Sequence, residues 1–166
     1  IMDKAKMYED LSKYLDQAPI GAPMSPALLS LLEILFPEED EINIALKLPM
    51  MNMKLSELKK MYYSEIPDIE TILNRMVKRG TVFVRQLPGQ EKEYRLLPSV
   101  VGWAETPYWG GKDTPDARKM APLWLQYREE AYAQEMTRGV PPVRVIPVSQ
   151  TVQDPGNVLP FDAIKP

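Results

Sequence analysis

Residues 55–86 read LSELKKMYYSEIPDIETILNRMVKRGTVFVRQ. Leu55, Leu58, Met61 and Tyr62 recur at intervals of three and four, the spacing that puts side chains on one helical face. A short turn follows, and Pro67 suits the first position of a second helix. Ile69, Ile72, Leu73, Met76 and Val77 form that helix's apolar stripe, and Gly80 stands where glycine ends helices. The stretch TVFVRQ (81–86) alternates and is rich in β-branched residues, so it predicts a strand. LPGQEK (87–92) supplies a Pro-Gly turn, and EYRLLP (93–98) supplies the returning strand. The expectation is a mainly α fold: a winged helix-turn-helix with a small β-hairpin wing.

Extra helices precede this unit. DKAKMYEDLSKYLD (3–16) places Met7, Leu11, Tyr14 and Leu15 on one face, with charges opposite. QAPIGAP breaks that helix, and Ser25-Pro26 is a cap and first position for ALLSLLEILF, which is apolar nearly all round. Pro37 stops it. EEDEINIALKL then predicts a helix with Ile42, Ala45, Leu46 and Leu48 inward and its acids at the positive end of the dipole. The acidic run 38–41 reads as a solvated helix start, because like charges that close repel unless water screens them.

Beyond the hairpin the character changes. Residues 99–139 carry all three tryptophans. Thr114-Pro115-Asp116 predicts a helix start, and Met120, Leu123, Trp124, Tyr127 and Ala131 share a face. Pro122 falls inside that helix, where a kink or a broken first turn is expected. Trp103, Tyr108, Trp109, Trp124 and Tyr127 are expected to gather, either docking this extension or forming a homodimer seam; the alternative is a satellite of the core. Residues 140–166 hold prolines at 141, 142, 147, 155, 160 and 166 and show no helical period, which predicts an extended tail. Val143, Val145, Ile146 and Val148 are apolar enough for that tail to lie along the body. Three segments follow: a leader and winged-helix domain (1–98), an aromatic-rich helical extension (99–139) and the tail (140–166).

The composition excludes several chemistries. The 166 residues include no Cys and no His. That removes disulfides, thiolate and imidazole metal ligation, cysteine nucleophiles and His-based triads. No GxxxxGK[ST] loop and no GxGxxG occurs. Apolar residues make up 45% and charged residues 26%, ordinary values for a globular protein. No apolar run is long enough to span a membrane and no cleavable signal is visible, so the cytoplasm is the expected compartment. The first residue is Ile1 rather than Met, which reads as a processed or trimmed chain.

Charge bears on whether the helix-turn-helix meets DNA. Residues 1–53 have a net charge of −5, residues 54–95 of +3 and residues 96–166 of −1. Lys59, Lys60, Arg75, Lys78, Arg79, Arg85, Lys92 and Arg95 are therefore the candidate phosphate or partner contacts. Base edges are met by residues near the start of a recognition helix. Here those are Asp68, Glu70 and Thr71, and two acids at that end repel phosphate. The wing alternates Glu91, Lys92, Glu93 and Arg95, so its charge largely cancels. A charged solvent face used for protein contacts is favoured over DNA binding, and independent catalysis finds no support.

The order of segments carries a resemblance. APIGAP, the run ending LFPEEDEINIALKLP, the winged helix and LLPSVVGWAETPYWGGKDTPDARKMAPLWLQY are followed by RVIPV at 144–148 and VLPFDAIKP at 158–166. This order resembles the N-terminal region of a group of 4Fe-4S ferredoxin-like proteins of anaerobic bacteria and archaea. In that family an RVIPV-like and a VLP(Y/F) stretch lead into a domain whose cysteines hold 4Fe-4S clusters. The resemblance covers nearly the whole chain. It implies an N-terminal docking domain of a longer electron-transfer protein, with any cluster ligands beyond Pro166 and none among these residues. Its implied partner is that iron–sulfur domain or another protein. The alternative reading is a winged-helix transcriptional regulator, redox-linked through the absent domain.

Overall fold

A computed structural model of the chain describes residues 3–62, 66, 68–111 and 113–138. The expected tail at 140–166 and the expected role of Pro67 lie outside them. The described part is mainly helical with a small three-stranded antiparallel sheet. Helix α1 (Lys4–Leu15) opens on Asp3, whose carboxylate accepts from the Ala5 amide. Helix α2 (Pro26–Leu35) opens on Ser25, whose hydroxyl accepts from the Leu28 amide at 3.1 Å. Both caps satisfy amides that the helix cannot satisfy itself. Helix α3 (Glu39–Ala45) carries Glu39, Asp40 and Glu41 in its first turn.

A two-residue strand, β1 (Met53–Lys54), leads directly into α4 (Leu55–Tyr62). Helix α5 (Ile69–Arg79) ends on Gly80 at φ 85°, the left-handed conformation that glycine adopts without strain. Strands β2 (Val82–Arg85) and β3 (Glu93–Leu96) make the hairpin. The sheet order is β1-β3-β2, with Val82 opposite Leu96, Val84 opposite Tyr94, and Met53 also opposite Tyr94. The pleat turns Val82, Tyr94 and Leu96 inward and leaves Phe83, Arg85 and Arg95 on the other face. The sequence pattern did not foresee β1, because two residues give too little alternation to register.

A π-helical turn (Ser99–Trp103) and a 3-10 turn (Thr106–Tyr108) connect the sheet to α6 (Pro115–Tyr127). Thr114 caps α6, accepting from the Ala117 amide at 3.1 Å. Helix α6 continues through Pro122, which lies on the exposed side, where water can serve the carbonyl that proline leaves unbonded. A second π-helical turn (Arg128–Tyr132) and the short α7 (Ala133–Met136) complete the described chain.

One hydrophobic core runs through these elements. It includes Leu11 of α1, Leu28, Leu31, Leu32 and Leu35 of α2, Ile42 of α3, Leu58 of α4, and Leu73 and Met76 of α5. Tyr94, Leu96, Trp103, Met120 and Tyr127 belong to the same cluster, so the aromatic extension packs into it as well. Ile72, Leu73 and Met76 are buried in the same core as α2, as the periodicity predicted, whereas Met61 is 57% exposed and leaves the stripe expected of α4. Three tyrosines close the ends of the second and third helices. Tyr8 donates to the Phe36 carbonyl at 2.8 Å, Tyr14 to that of Leu48 at 2.9 Å, and Tyr62 to that of Lys47 at 2.7 Å. Burial raises the Tyr8 phenol to about 12.

Candidate functional site

The candidate cations are engaged within the molecule to different degrees. Arg75 Nε lies 2.6 Å from Glu41 Oε1, and its Nη2 lies 2.7 Å from Asp40 Oδ1. One turn on, Arg79 Nη1 donates to the other Glu41 oxygen. A single buried carboxylate on α3 therefore holds two arginines of α5. The bonds to Glu41, then to Asp40, raise the Arg75 guanidinium above its ordinary value. This corrects the reading of residues 38–41 as a wholly solvated start, because Glu41 has no exposed surface. Its charge is offset by two guanidiniums contributed from 34 and 38 positions along the chain, a distance at which sequence spacing is silent.

At the other end of α5, Lys59 lies 3.0 Å from Glu70 and Lys92 lies 3.4 Å from the same carboxylate. The Lys59 bond, and after it the Lys92 bond, hold Glu70 below the usual carboxylate range. On the sheet, Arg85 donates twice to Glu93, at 3.0 and 2.6 Å. Arg95 stacks over the Phe83 ring with 4.9 Å between its guanidinium carbon and the centroid. Lys60 and Lys78 make no ion pair among the described residues. The eight cations are thus spread over α4, the C-terminal half of α5 and the hairpin, and most face carboxylates of this same chain.

The expected aromatic group forms in part. Trp103 and Trp124 have ring centroids 5.2 Å apart, and Trp124 meets Tyr127 edge-on at 5.8 Å. Trp103 and Tyr127 are fully buried, and Tyr108 is partly buried against the core. Trp109 departs from the expectation: it is 70% exposed. It stands at the C-terminal end of the 3-10 turn. Tyr132, which the sequence reading missed, completes the row at 5.6 Å from Tyr127. These two tyrosines stand five positions apart, a spacing that crosses to another face of an α-helix. The π-helical turn at 128–132 brings such positions back together. Burial raises both phenols, and their hydroxyls, with the indole N–H groups of Trp103 and Trp124, have no protein partner among the described residues.

The extension is tied to α2 by a polar contact as well. Glu130 Oε2 accepts from the Ala27 amide at 3.2 Å, while its other oxygen accepts from Gln126. The Gln126 bond, followed by the Ala27 and Ser25 bonds, lowers the Glu130 carboxyl. No group of three or more acidic, His or Cys side chains suited to a metal ion occurs among the described residues. No helix among them is long and apolar enough to cross a membrane. Comparison with protein-family models, with curated proteins and with solved structures gave no match.

Proposed function

We propose that this chain is a winged-helix docking domain that positions an iron–sulfur domain, or another protein, in an electron-transfer assembly of the cytoplasm. The fold-level support is the order of three helices around a short strand followed by a hairpin, with the sheet in the order β1-β3-β2. The iron–sulfur part rests on the segment resemblance alone. The chain has no thiolate to ligate such a cluster, so no residue here is assigned to one.

One observation carries the preference for docking over DNA binding. Arg75 and Arg79, the arginines of the helix that would enter a groove, are bonded to Asp40 and Glu41 of the same molecule. Phosphate would have to compete with those carboxylates for both guanidiniums. At the front of that helix Lys59 and Lys92 are likewise engaged, both by Glu70.

The test is a fluorescence-anisotropy titration of the purified chain against two unrelated duplexes at about 0.15 M salt. The expected result is weak binding of equal strength that vanishes as salt rises. Submicromolar binding to one duplex and not to the other would overturn the docking reading in favour of the regulator.

A further inference from the structure

A cleft of about 410 Å³ lies where the ends of α2 and α5 meet the start of α6. Its apolar lining comes from Ile34 and Leu35 at the end of α2 and from Met120 of α6. Its polar lining comes from Lys78 and Arg79 on the last turn of α5 and from Asp116 on the first turn of α6. Apolar side chains on one side and charged groups on the other are the kinds of lining that contact and orient a small molecule.

Two charges in this cleft are unspent. Lys78 and Asp116 carry opposite sign and line the same space, yet neither makes an ion pair among the described residues. Both side chains are exposed, so water solvates them while the cleft is empty. Here each stands on a separately fixed helix end. The end of α5 is fixed by Gly80, whose carbonyl accepts from the Thr106 hydroxyl. The contact is close: a Cβ on Gly80 would stand 2.7 Å from that oxygen. The start of α6 is fixed by the Thr114 cap, which already takes the Ala117 amide, so the helix end itself is not the attraction. Arg79 spends one nitrogen on Glu41, which leaves further N–H groups of its fork for a ligand in the cleft.

We propose that this cleft binds the zwitterion of an α-amino acid with an apolar side chain. The carboxylate meets Lys78 and Arg79, the ammonium meets Asp116, and the side chain lies on Ile34, Leu35 and Met120. A simple anion would face the Asp116 carboxylate unpaired, and a simple cation would face two positive groups. A ligand bearing both charges matches both sides of the rim. This site is separate from the docking role and stands whether or not that role holds.

The experiment is a titration of the ¹⁵N-labelled chain with L-leucine, followed by amide chemical shifts. Its arms are 4-methylpentanoate, which lacks the ammonium, and 3-methylbutylamine, which lacks the carboxylate. Expected are saturable shifts at residues 78–80, 106 and 114–120 with Kd of about 1 mM, and binding of either analogue at least about fivefold weaker. Lys78→Met and Asp116→Asn, both at exposed positions, should weaken leucine about fivefold with the melting temperature unchanged. No shift at those residues with about 20 mM leucine overturns the proposal. So does equal binding of 4-methylpentanoate, which would make the cleft a plain anion site.

Discussion

A carboxylate shared by two guanidiniums is bonded on both oxygens, and Glu41 holds that position with no exposed surface. Neutralising it leaves two arginines with one charged partner, Asp40, between them. Glu41→Gln should lower unfolding stability by about 1.5–3 kcal/mol, the range for hydrogen bonds to charged groups, read as a shift in urea midpoint. The same change has a second expected outcome. With Asp40→Asn added, Arg75 and Arg79 are released, and duplex DNA binding should rise and depend steeply on salt. A double variant that binds no better than the parent would show that the ion pairs do not screen α5. Gly80 sets a different constraint. Its φ of 85° disfavours a side chain, and an added Cβ would press on Thr106. Gly80→Ala should therefore destabilise by more than about 1 kcal/mol in the same assay, and pairing it with Thr106→Gly should recover only the steric part.

At the scale of elements, α5 is held from both ends by charge and along its length by packing. Leu73 in its middle is fully buried, so Leu73→Ala should cost about 2–5 kcal/mol; an unchanged melt would place that face in solvent. Glu70 makes the packing of α5 against α4 and β3 sensitive to acid. Its folded carboxyl is depressed by Lys59 and Lys92, so its contribution is present above the unfolded value and is lost as pH falls through the folded one. Wild type and Glu70→Gln should therefore differ in stability at pH 7, and the difference should shrink as pH falls below the ordinary glutamate range. The helices of this region were legible because their apolar positions repeat at three and four and their ends carry Ser25, Thr114 and Gly80. Strand β1 was not, since its register is dictated by Tyr94 and Glu93, some forty positions away in the chain. Neither was the Glu41 pair, which depends on how α3 and α5 cross. The proposed cleft was equally hidden: Ile34, Lys78 and Asp116 meet only after three helices are placed.

In the molecule as a whole, the three tryptophans occupy three environments, which gives a direct optical check. Trp103 is fully buried, Trp124 is partly buried and Trp109 is largely exposed. Iodide should quench one component of the emission, and Trp109→Phe should remove most of that component. If quenching survives the change, the row of aromatics is open. Trp109 and Leu125 are large apolar side chains exposed on the extension, so sedimentation across a wide concentration range tests the homodimer seam there. The contact between Glu130 and the Ala27 amide spans 103 positions, and its meaning lies in biosynthesis. When residue 98 leaves the ribosome, α2 still lacks both that contact and the Met120 and Tyr127 side chains of its core. The nascent leader and hairpin must wait for the aromatic segment before their apolar faces close. At about 5–20 residues per second that interval lasts seconds, long enough for a chaperone to bind. A chain stopped after Leu97 should stay open to protease, while one stopped after Arg138 should resist it.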